Sequence, residues 1–154
     1  MTISLSEQEV ATINILAALR SLTARNSNVK DLKRSDLSGS EIDSDGLIAE
    51  YAFCKHKNVF PDLIPSPRSG SCDAIVNGLR IDIKSTRYSN GRLLVTLKDN
   101  PDVDIYVLAI IDKNNVTFAG WEYKKNVCIP ENIRNLGKGD GYVVDQDKLR
   151  KIDK

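Results

Sequence analysis

The stretch from Asp73 to Lys84 reads DAIVNGLRIDIK and restricts the local fold more than any other part of the chain. Asn77-Gly78 is the dipeptide that most strongly signals a two-residue hairpin turn, and the runs on either side have strand character. Side chains alternate faces along a strand, so Asp82 and Lys84 point the same way and Ile83 points into the core. Folding at Asn77-Gly78 brings Asp73 back alongside the far end of the second strand. Two carboxylates and an ammonium then converge on rigid elements beside solvent. A hard divalent cation and a phosphodiester need that combination: oxygen ligands for the metal and positive charge for the phosphate.

The remaining residue types narrow the chemistry. His56 is the only histidine, so no imidazole cage or HNH-type site can be built, and hydrolysis would fall to carboxylates and lysine. Its setting, Lys55-His56-Lys57, reads as a solvated helix end. Three cysteines, Cys54, Cys72 and Cys128, without CxxC spacing read as reduced thiols in a cytoplasmic compartment. No basic leader precedes an apolar run and no stretch approaches a membrane span, so no membrane partner is expected. A net charge of +1 gives no global basic field, and any grip on nucleic acid must come from local patches.

The pattern Asp73, eight residues, Asp82-Ile83-Lys84, preceded by Glu50 in a predicted helix, resembles the PD-(D/E)XK nucleases, the restriction-endonuclease-like superfamily. It is most similar to small members carried by tailed phages. The likeness covers Gly46 to Trp121, about half the chain, and departs from the motif's name at Cys72, where a proline would stand. The resemblance implies a DNA endonuclease with Mg²⁺ as cofactor and Mn²⁺ as substitute. Its catalytic set would be Glu50, Asp73, Asp82 and Lys84. Asp73, Asp82 and the Ile83 carbonyl would hold the metal, with Glu50 bound through water or placing a second ion. Lys84 would orient the attacking water or neutralise the phosphorane, and Ser85 or Thr86 would support its strand.

The triplet alone describes a same-face ion pair on a solvated strand equally well. The hairpin, Glu50 and the resemblance together tip the reading to function. Arg68, Arg80, Arg87 and Arg92 crowd the motif, and Arg68, Arg87 and Arg92 are the candidates for gripping DNA phosphates. Tyr88 and Trp121 read as packing residues. A catalytically inactive nucleic-acid-binding or host-factor-interacting protein on the same fold is the alternative.

The whole chain, 154 residues, reads as a single domain: an N-terminal helix and polar loop over 1–45, the motif-bearing core over 46–121 and a C-terminal extension over 122–154. Ser6-Glu-Gln-Glu9 is a capping box that starts a helix running to about Arg25. That helix is apolar on more than one side, from which a homodimer is expected. Asn26 to Asp45 reads as loop, with Asp43 to Asp45 capping a helix over Gly46 to His56. Glu41 to Gly46 imitates an EF-hand opening, but Ala52 stands where the closing glutamate belongs. Strands are expected at Arg92–Lys98, Val103–Ile111 and Val116–Trp121, and near Tyr142–Val144. Val103–Ile111 suits a central strand covered on both faces. Gly137 to Gly141 lacks a phosphate loop's ending and reads as a turn, with Lys138 within reach of a nucleic-acid backbone. The fold expected is α/β: a central mixed sheet of about five strands flanked by helices.

Overall fold

The computed structural model describes residues 1–26, 39–65, 72–98, 100–137 and 139–152. The capping box forms as its sequence requires. Ser6 N–H donates to Glu9 Oε2 at 2.7 Å and Glu9 N–H to Ser6 Oγ at 3.2 Å, which starts helix α1 (Glu7–Asn26). Helix α2 (Gly39–Lys57) begins seven residues earlier than expected, so Asp43 and Asp45 lie inside it and do not cap it.

The main sheet holds β1 (Thr2–Ser4), β2 (Ala74–Val76), β3 (Leu79–Thr86), β5 (Ile105–Asp112) and β6 (Asn115–Tyr123), in the order β1-β6-β5-β3-β2. Only β3–β5 is parallel, so the sheet is mixed. The Asn77-Gly78 hairpin forms with φ of 51° and 78° at its two turn residues, the left-handed region a type I′ turn demands. The strand expected at Arg92–Lys98 shortens to β4 (Leu93–Thr96) and leaves the main sheet. It pairs with β8 (Asp140–Val144), which pairs in turn with β7 (Ile133–Asn135). The place in the main sheet is taken by β1, three residues too short to announce itself by alternation. A four-residue helix, α3 (Lys124–Val127), follows β6.

Period-two alternation along β5 divides the interior. Ile105, Val107, Ala109 and Ile111 face α1 and α2, where they pack with Ile13, Phe53, Ile81, Ile83 and Phe118. Tyr106 and Leu108 face the second sheet and pack with Leu93, Val95, Val127, Val144 and Leu149. A strand covered on both faces has no need of polar positions, which is why this run is apolar throughout. At Gly120 an added Cβ would meet the Leu149 side chain at 2.6 Å, so the C-terminal segment crosses β6 where no other residue fits. No helix among the described residues is long and apolar enough to cross a membrane.

Candidate active site at the edge of β3

Asp73 stands one residue before β2 and reaches across the strand end. Its N–H donates to the Ile81 carbonyl at 2.8 Å, and its Oδ2 accepts from the Ile83 N–H at 2.6 Å. Pairing of β2 with β3 stops at Ala74 opposite Ile81, so the carboxylate takes the rung that the missing strand residue would have supplied. Such a charge-assisted bond is about twice as strong as a neutral one. A strand residue's N–H and C=O point to the same edge, so the Ile83 carbonyl opens beside Asp73.

Asp82 and Lys84 share a face, as the alternation requires, and Lys84 Nζ lies 2.8 Å from Asp82 Oδ1. Their β5 partners are Tyr106 and Leu108, so this is the face turned to the second sheet, while Ile83 enters the helix-side core. Asp82 is only 9% exposed. A carboxylate buried to that degree is costly without a partner, and Lys84 provides one.

Glu50, half-buried on α2, shares a cavity of about 10 Å³ with Asp73, walled by Leu16, Leu47, Tyr51 and Leu63. That is room for roughly one water. Glu50 therefore approaches from the helix face and Asp82 from the opposite face, with Asp73 between them on the sheet edge. Among the described residues no three His, Cys, Asp or Glu side chains gather closely enough to hold one cation. The edge offers the Asp73 carboxylate and the Ile83 carbonyl, and the Asp82 carboxylate stands on the adjoining face, all hard oxygens. That donor set suits Mg²⁺, which keeps several waters and takes one or two protein carboxylates.

Arg80, Arg87 and Arg92 each form an ion pair within the chain and stay partly open to solvent. Arg87 donates from Nε and Nη2 to buried Asp45 of α2 at 2.7 and 3.0 Å. Arg92 reaches Asp145 at 2.6 Å, and Arg134 shares that carboxylate at 3.0 Å. Arg80 clamps Asp104 through its backbone and side chain and also meets Asp102 at 3.2 Å, tying the start of β3 to that of β5. The Arg80 guanidinium bond, followed by its backbone N–H, pulls the Asp104 carboxyl down to about 2. Arg68 and Lys138 lie outside the described residues. The Asp45–Arg87 pair had a readable half: Asp45 precedes Ile48, Ala49 and Ala52 at helical spacing and so belongs to the buried face of α2.

The neighbouring residues refine the picture. Burial, then the charge of Asp73, pushes the Cys72 thiol up, away from the reactive range. His56 is not a solvated residue: its Nε2 is buried without a hydrogen bond among the described residues. Burial, with Lys57 and the N-terminus nearby, lowers its pKa. Trp121 packs, stacking edge-on with Tyr123 and donating to the Lys151 carbonyl, whereas Tyr88 is 71% exposed and packs little. No protein-family profile, curated protein or solved structure matches this chain.

Proposed function

We propose that this chain is a metal-dependent nuclease of PD-(D/E)XK type that hydrolyses phosphodiester bonds in DNA on a restriction-endonuclease-like core. The observation that supports the reading is the arrangement around β3: Asp73 bonded at the strand edge to the Ile83 N–H, the Ile83 carbonyl on the same edge, and the Asp82–Lys84 pair on the flanking residues. Asp73, Asp82 and the Ile83 carbonyl would hold Mg²⁺ or Mn²⁺, with Glu50 behind Asp73 in the shared cavity. The ion would supply charge neutralisation at a phosphate oxygen and an acidified water.

The chain's own residues perform the rest. Lys84, tethered to Asp82 and partly open to solvent, places a positive charge where the attacked phosphate gains negative charge. The Asp73–Ile83 bond fixes one carboxylate against the strand, so its orientation need not be found during the reaction.

The test is incubation of plasmid, linear and branched DNA with the protein in Mg²⁺, Mn²⁺ or EDTA. Cleavage in either metal and none in EDTA is expected. Binding without cleavage under all conditions would overturn the nuclease reading. It would favour an inactive nucleic-acid-binding protein on this fold.

A further inference from the structure

Helix α1 has an unusual outer surface. Ile13, Ala17 and Arg20 face inward, and the opposite arc presents Ala11, Ile15, Ala18, Leu19 and Leu22 to solvent. Ile15, Leu19 and Leu22 are 64%, 45% and 54% exposed. Charge is nearly missing from this surface. Glu9 is engaged by Lys55 at 2.7 Å and Arg20 by the Asp62 and Ile64 carbonyls at 2.8 and 2.9 Å, which leaves Glu7 as the one exposed charged side chain among those described on the helix. A solvent-facing helix ordinarily carries a charged stripe, and one that is apolar all round is buried. The same Arg20 bonds staple residues 61–65 along α1, so exposed Leu63 and Ile64 extend the patch beside Leu16 and Leu19.

We infer that α1 docks against α1 of a second copy, antiparallel, about a two-fold axis near the middle of the helix. The argument is self-complementarity. Ile15 and Leu22 are seven apart, as are Ala11 and Ala18, so large and small residues form two adjacent heptad rows. Two antiparallel helices overlapping along their full length, Glu7–Asn26, set Ile15 against the partner's Ala18 and Leu22 against the partner's Ala11. Large side chains then fill the spaces over small ones on both sides of the axis, which allows close approach without voids. A surface that matches itself under a two-fold is what an isologous dimer requires. The uncharged arc sets no like charges against each other, and antiparallel helix dipoles attract. One helix pair alone falls short of the roughly 1,200 Å² buried in stable interfaces. Leu63 and Ile64, held along α1 by Arg20, present further exposed apolar surface on each copy.

The test uses the full chain and needs no nuclease activity. Sedimentation equilibrium from low to high micromolar concentration is expected to give twice the 17.1 kDa chain mass, and I15E/L22E a single-chain mass with an unchanged circular dichroism spectrum. In a second variant, I15C/A18C, mild oxidation is expected to give a disulfide-linked dimer under conditions where the parent chain gives none. A monomeric parent chain at high micromolar concentration would overturn the inference, whether the stripe proves covered by another part of the chain or free to meet a lipid surface. So would a dimer that persists in I15E/L22E, or absence of cross-linking in I15C/A18C.

Discussion

Asp73 Oδ2 accepts the backbone N–H of Ile83 at 2.6 Å, so one carboxylate both completes the β-ladder and stands at the proposed metal edge. Those two roles separate experimentally. Asp73→Ala removes the acceptor and leaves an edge N–H to water, a loss of about 1 kcal/mol. Asp73→Asn keeps an acceptor oxygen and is expected to recover most of that stability in urea denaturation. Both variants are expected to lose cleavage, since only the carboxylate carries the charge that holds the ion. An active Asp73→Asn would remove Asp73 from the ligand set.

Asp82 and Lys84 are expected to differ in kind. Asp82→Asn abolishes metal-dependent cleavage while the fold, judged by circular dichroism, is kept. Lys84→Ala leaves DNA binding nearly intact and lowers the cleavage rate by about 10²–10³, the scale of one transition-state charge contact. Binding measured by anisotropy in Ca²⁺ and single-turnover rates in Mg²⁺ separate the two effects. Loss of binding in Lys84→Ala would make the lysine an anchor.

Arg87 is expected to act on stability more than on DNA. Its guanidinium holds Asp45, which is 7% exposed, and removing it strands a buried carboxylate. Loss of a fully buried partner costs 3–5 kcal/mol, and the half-exposed guanidinium reduces this to about 2 kcal/mol. Asp45→Ala/Arg87→Ala together should cost less than the sum of the single changes, a double-mutant cycle read from urea midpoints. Additive losses would show that the two side chains are not coupled.

The Arg80–Asp104 clamp predicts an acid limb in stability. The Asp104 pKa is lowered from an ordinary 3.8 to about 2 in the folded chain. A depressed carboxyl stabilises the fold above its unfolded pKa, and that contribution disappears as pH falls from about 5 towards 2. Arg80→Ala is expected to flatten the pH dependence of the urea midpoint across this window. An unchanged slope would show that other carboxylates set the acid limb.

Local chemistry determined what the chain alone could reveal. Asn77-Gly78 demanded a left-handed turn, which fixed the β2–β3 register and brought Asp73 to Ile83. Alternation put Asp82 and Lys84 on one face, and the unbroken apolar run of β5 announced a strand buried on both sides. The capping box at Ser6 placed the start of α1. Tertiary packing decided the rest, because it depends on partners distant along the chain. Leu93–Thr96 has the same alternation whichever sheet it joins, and pairing with β8 rather than β3 rests on side chains about fifty positions away. Asp45 reads as a cap until Arg87, forty-two residues on, turns it into a buried ion-pair partner. Arg92 reads as a phosphate grip, and only the fold reveals that this half-exposed side chain also pairs with Asp145, fifty-three residues on. Glu50 lies on the correct helix, but the sheet stands between it and Asp82, a separation that no spacing along the sequence encodes.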